Sequence, residues 1–282
     1  MNSFSKLLSK AYELHDLGKV FSLLGWDRET NMPKDGNEGR TQQIATISRI
    51  RHELSTSNEL GDLILQAETE TMGMAYDSFE ASLVRCLKKS YAKSIKLPTS
   101  YIIRESELSS QARQAWVKAR KENDYASYAP FMQKVIEFCQ EKAALYGYEE
   151  NPYDALLDNY ESDTSTKEVS LILGNLKKEL VPFLEMVTQS GREIDDKFLH
   201  QNYDQNLQRE FAIEASKAIG YNYDSGHLGE VVHPFVASFG KNDVRITTRW
   251  NEQFLNAGLF GVLHEAGHGL YEQGFDDSLK RT

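Results

Sequence analysis

His264-Glu265-Ala266-Gly267-His268 decides the reading of this chain, fourteen residues before its last residue. Residues four apart on a helix lie on one face. The two imidazoles can therefore share one Zn²⁺ at about 2.0–2.1 Å. The carboxylate beside the first histidine can hold a water at the ion and take its proton. That is the chemistry of a zinc peptidase. The surrounding segment, 253–273, places Phe254, Leu255, Leu259, Phe260, Val262, Leu263, Leu270 and Tyr271 on most helix faces, which predicts a buried helix. Gly258, Gly261, Gly267 and Gly269 interrupt it, each costing about 1 kcal/mol of helix propensity relative to alanine. Packing must hold such a helix, and its small residues allow close approach by a neighbour.

Just upstream the pattern changes from helical to extended. Residues 231–239 are β-rich, 240–243 form a turn, and 244–250 alternate at period two, which predicts a β-hairpin. Arg245, Thr247 and Arg249 share one face; Val244, Ile246 and Thr248 share the other. Pro234 confines its strand to an edge or a strand start, and an edge beside a metal suits an extended peptide. Arg245 can stabilise an oxyanion, bind a substrate carboxylate or orient Asp243 and Glu265, or it can be a structural ion pair. His233 can donate to substrate or to the tetrahedral intermediate, or be a satisfied structural histidine.

Residues 1–220 read as a helical region forming a groove wall, and 221–282 as the hairpin with the metal-motif helix. Helical patterns run from the N-terminus to a break at Trp26–Pro33, then over 38–56, 58–72, 76–95, 99–123 and 126–146. Asn151-Pro152-Tyr153 reads as a turn. Ser165 with Glu168 is a capping signal for a helix reaching Ser190. A helix over 205–219 stops at Gly220.

The net charge of −10 and the lack of a basic stripe exclude nucleic-acid and anionic-membrane partners. No apolar run approaches the ~18 residues of a membrane span, and the N-terminus has no signal core. Cys86 and Cys139 sit in helix-like surroundings and read as reduced, buried thiols. A cytoplasmic protein is expected.

Glu272 lies eight residues beyond His264, a rise of about 12 Å at 1.5 Å per residue. It cannot join both histidines on one ion. Asp276 and Asp277 reach back only if the chain folds over after Gly274.

At these residues the chain resembles the carboxypeptidase Taq family (M32) of metallocarboxypeptidases. His233-Pro234-Phe235 matches the family's His-Pro-Phe motif, and Asp243-Val244-Arg245-Ile246-Thr247 its Asp-x-Arg-x-Thr motif. The segment from His264 to Gly274 matches its zinc helix. Trp26-Asp27, Met32-Pro33 and Asn151–Asp158 also resemble family segments, so the likeness covers essentially the whole chain. It implies a mostly α, elongated, gluzincin-type peptidase fold with a small hairpin or sheet beside the zinc helix. It also implies a zinc (or cobalt) cofactor, peptide substrates trimmed one residue at a time from the C-terminus, and a homodimer. Carried over, His264 and His268 are the metal ligands, and Glu265 is the base and then the proton donor. The family's glutamate ligand follows the zinc helix and has no match here. The resemblance thus implies a chain lacking the C-terminal part and its third metal ligand. Two other readings stand beside the carboxypeptidase: a related oligoendopeptidase, and a catalytically silent helical scaffold or oligomerisation fragment.

Overall fold

The computed structural model describes residues 2–192 and 194–282. In chain order the elements are α1 (Ser3–Thr30), α2 (Asn37–Ser55), α3 (Asn58–Glu70), α4 (Phe79–Ser94), α5 (Thr99–Glu122), α6 (Tyr125–Tyr146), α7 (Pro152–Leu157), α8 (Thr166–Gln189), α9 (Gln205–Ala218), β1 (Gly226–Glu230), β2 (Val236–Gly240), β3 (Asp243–Thr248) and α10 (Leu255–Gln273). The fold is mostly helical with one small sheet, as expected. Contacts divide it into two compact units: residues 1–91 with 196–282, and residues 92–195. This is a different partition from the sequence division at residue 220, which marks where strands begin.

The first unit has two apolar clusters. α1 packs on α2 and α3. There Leu7, Leu60, Leu63, Ile64, Ala67 and Val84 are buried together, with Phe4, Leu14, Leu87 and Tyr91 against them. Asn2 caps α1 by accepting from the Ser5 N–H, and Ser57 caps α3 by accepting from Leu60, each satisfying a donor that the helix cannot. The second cluster joins α9, the sheet and α10 through Ala212, Tyr221, Leu228, Ile246, Val262 and Ala266.

The sheet has three strands in the order β1-β3-β2. β2 and β3 are the antiparallel hairpin read from the sequence, with an irregularity between Ser238 and Gly240. Gly240 turns the chain at φ 149°, a conformation that glycine adopts readily. β1 runs parallel to β3, His227 opposite Arg245. It was not expected from the sequence: Gly-His-Leu-Gly-Glu has no β-branched residue, and its place is set by pairing with β3.

The second unit is built on the α5–α6 pair. Buried Tyr101 donates its hydroxyl to the Phe138 carbonyl at 3.0 Å. Lys142 pairs with Glu105 at 2.7 Å. Asn123 closes α5 in the left-handed conformation. α8 starts with the expected capping box, in which Ser165 and Glu168 satisfy each other's backbone N–H groups.

Four local expectations need correction. Trp26–Thr30 continue α1 instead of breaking it; the break begins at Asn31, before Pro33. Residues 231–235 are not strand, because Pro234 cannot donate to a ladder. Asn151-Pro152-Tyr153 opens a short helix, with Asn151 as cap and Pro152 at the first position, where its missing N–H costs nothing. Cys86 and Cys139 are free but exposed.

Candidate metal centre

α10 carries the motif, and one stripe of it is buried: Gly258, Val262, Glu265, Ala266 and Gly269. Thus it is not buried on all sides, and Phe260, His264, His268 and Tyr271 face solvent. The glycines show why the buried stripe must be small. A Cβ on Gly258 would come within 2.5 Å of the Trp250 ring, and one on Gly269 within 2.6 Å of Tyr221. A Cβ on Gly267 would meet nothing within 4 Å. The C-terminal end of α10 is tied by a reciprocal amide pair: Asn222 N–H donates to Gln273 Oε1 at 3.0 Å, and Gln273 Nε2 donates to Asn222 O at 2.9 Å.

The structure brings three sequence-predicted residues together on this helix. The His264 and His268 rings lie edge to face with centroids 5.0 Å apart. Between them in sequence, Glu265 is only 7% exposed. Burial holds its carboxyl above the usual range, with His264, His268 and His233 each pulling it back down. Such a carboxylate is a better proton acceptor than a free one.

His233 is close enough for its charge to be felt at Glu265. Its Nδ1 lies 3.0 Å from the Pro234 carbonyl. The turn that carries it is clamped by buried Thr247, a residue that the sequence reading left on a strand face with no role. Phe235 N–H donates to Thr247 Oγ1 at 2.8 Å, and that hydroxyl donates back to Phe235 O at 2.7 Å. The Thr247 N–H also donates to Phe235 O, at 3.1 Å.

Arg245 is engaged elsewhere. Its Nε and Nη2 donate to the two Asp243 oxygens at 2.7 and 2.8 Å. Its guanidinium also stacks on Trp26 at 4.5 Å and on Phe239 at 4.9 Å, a geometry suited to arginine's planar fork. These contacts link β3 to α1.

The donor set fits a divalent metal in part. Two imidazoles on one helix face are donors of the kind that zinc or cobalt takes. Among the described residues, no group of three or more His, Cys, Asp or Glu side chains gathers for an ion. Asp277 pairs with Lys241 at 3.0 Å and with Lys280 at 3.1 Å, and Asp276 caps Ser278. Glu272 lines a cavity of about 710 Å³ with His15, Lys19, Phe239 and Asp243, and neither His264 nor His268 lines it.

Comparison with known proteins gives the same direction. The family model for carboxypeptidase Taq (M32) metallopeptidases matches residues 6–282. Carboxypeptidase 1 of Bacillus subtilis is 33% identical over 264 residues, covering 94% of this chain and 52% of its own length. Thermostable carboxypeptidase 1 of Thermus thermophilus is 34% identical, covering 96% of this chain and 55% of its own. The crystal structure of BsuCP superposes with a TM-score of 0.94 at 30% identity, over 99% of this chain and 56% of that one. A Pyrococcus furiosus carboxypeptidase structure gives 0.87 at 31% identity, over 100% of this chain and 56% of that one. The chain spans about half the length of the curated relatives that it matches. Among the described residues no helix is long and apolar enough to cross a membrane. From the match over residues 6–282 and the shared architecture, the chain belongs to the carboxypeptidase Taq (M32) family of metallopeptidases.

Proposed function

We propose that this chain carries the metal-helix portion of a carboxypeptidase that removes single residues from peptide C-termini. The observation that carries the reading is the pairing of His264 and His268 at 5.0 Å on the open side of α10, with buried Glu265 between them in sequence. His264 and His268 hold the metal, zinc or cobalt, and the remaining protein ligand comes from outside these residues. When bound, the metal polarises the scissile carbonyl and acidifies water. Glu265 takes the proton from the attacking water and delivers it to the leaving amine. His233, steadied through the Thr247 clamp, donates to the developing oxyanion. Arg245 acts by holding Asp243 and Trp26 rather than by touching substrate. The proposal extends to a homodimer and a cytoplasmic location, which light scattering and cell fractionation check.

The test pairs metal content with release of the C-terminal residue from a blocked dipeptide. With two histidines alone, zinc uptake is expected to be weak and turnover poor, and Glu265→Ala should abolish any release. Release that persists in Glu265→Ala overturns the reading. Equal cleavage of free and amidated C-termini assigns the activity to an endopeptidase instead.

A further inference from the structure

Tyr221 has no part in the chemistry proposed above, yet it is only 2% exposed where α9, the sheet and α10 meet. Gly220, at φ 105°, turns the chain out of α9, and the Tyr221 N–H donates to the Ser216 carbonyl at 3.0 Å. The Tyr221 hydroxyl donates to the Val244 carbonyl of β3 at 2.6 Å, and its ring meets Tyr223 edge to face at 4.9 Å. Two glycines make room for the side chain. A Cβ on Gly226 of β1 would come within 2.4 Å of the hydroxyl oxygen, and one on Gly269 of α10 within 2.6 Å of the ring. The ring is thus a wedge between the sheet and α10, tied to the sheet by its hydroxyl. The next residue, Asn222, holds Gln273 through the reciprocal amide pair.

Gly269 and Gln273 stand one turn apart on α10, so residues 221 and 222 grip a single face of that helix. This face lies about 140° around the axis from the one carrying His264 and His268. An imidazole sits about 6 Å from the axis, so a roll of about 10° moves it by about 1 Å. A metal–nitrogen bond of about 2.0–2.1 Å tolerates only about 0.2 Å. The contact on the buried face therefore sets the aim of the rings on the open face. We propose that Tyr221 is a positioning residue for the metal pair: its ring, anchored to β3, fixes the height and roll of the last turns of α10, and so the approach of His264 and His268 to one ion. This rests on the metal reading of the two histidines, whereas the wedge itself forms without metal.

The experiment reads two quantities in the wild type, Gly269→Ala, Tyr221→Leu, their double variant and Tyr221→Phe: amide exchange over 268–273 in the zinc-free chain, and zinc affinity by calorimetry. Gly269→Ala drives a methyl into the ring and should lift the helix end. Its amides should exchange about tenfold faster, and its zinc affinity should fall by about tenfold or more, as for other groups that orient metal ligands. Tyr221→Phe keeps the wedge and should bind zinc nearly as the wild type does. In the double variant the smaller side chain leaves room for the methyl. It should bind zinc more tightly than Gly269→Ala and exchange more slowly, although it lacks a buried ring and melts at a lower temperature. A residue that only fills the core would order zinc affinity as it orders melting. A double variant with no recovery in either quantity overturns the proposal, as does Gly269→Ala with unchanged exchange and zinc affinity. If the wild type takes up no zinc, the metal reading fails, and the exchange data alone decide: recovery in the double variant upholds the seating of the helix end by Tyr221, and its absence overturns it.

Discussion

α10 and α8 are both rich in large apolar residues, and the chain treats them in opposite ways. α10 is interrupted by glycine and poorly patterned, yet it seats Val262 and Ala266 fully in a cluster with Ile246 and Tyr221. α8 has a clean stripe and a complete capping box, yet buries nothing. Propensity and capping decide whether a segment is helical; neighbours decide whether its apolar face is satisfied. The difference teaches that an amphipathic pattern states a need for a partner without supplying one.

Substitutions should separate the two helices by the size of their effect. Ile246→Ala, under α10, is expected to cost about 2–5 kcal/mol in denaturant unfolding, the range for truncating a buried aliphatic residue. A loss below half a kcal/mol would mean that the α10 cluster is not packed as described. Gly258→Ala should cost about 1–3 kcal/mol by forcing a methyl against Trp250, whereas Gly267→Ala, with open space around it, should gain about 0.5–1 kcal/mol. Thermal melts of the pair would contradict the close-packed stripe if both changed in the same direction.

For α8 the expected effects are local and small. Ser165→Ala should cost about 1 kcal/mol of helix-end stability, read as faster amide exchange in the first turn. Glu168 adds a pH dependence. In the folded chain its carboxyl is held below its ordinary value of 4.5, first by the Ser165 N–H and then by the Ser165 hydroxyl. Its contribution is therefore fully present above pH 4.5 and is lost as pH falls through the lower folded value. Glu168→Gln should flatten that part of the acid limb, and an unchanged acid titration would remove the capping box from the account. Smallest of all, Leu176→Asp should shift stability by no more than about 0.5 kcal/mol, while weakening the binding of a hydrophobic dye.

Helix positions were largely legible in the sequence, because 3.6-residue periodicity and caps such as Ser165 are local signals. The pairing of His264 with His268 was legible for the same reason: the two rings need only one helix to meet. What escaped depends on distant partners. β1 exists through β3, and Thr247 gains its role only when the Phe235 turn folds onto it. Arg245 shows the same limit: its residue type suited several tasks, and only the placement of Asp243, Trp26 and Phe239 reveals how its guanidinium is used. The exposure of α8 was hidden as well, since its sequence resembles that of any surface helix with one packed side.

The most direct test of the proposed metal centre is calorimetric titration of the 282-residue chain with zinc, beside His264→Ala and His268→Ala. Weak uptake of one equivalent by the wild type, lost in either variant, is the expected result. Zinc binding of unchanged affinity and stoichiometry in both variants would contradict it.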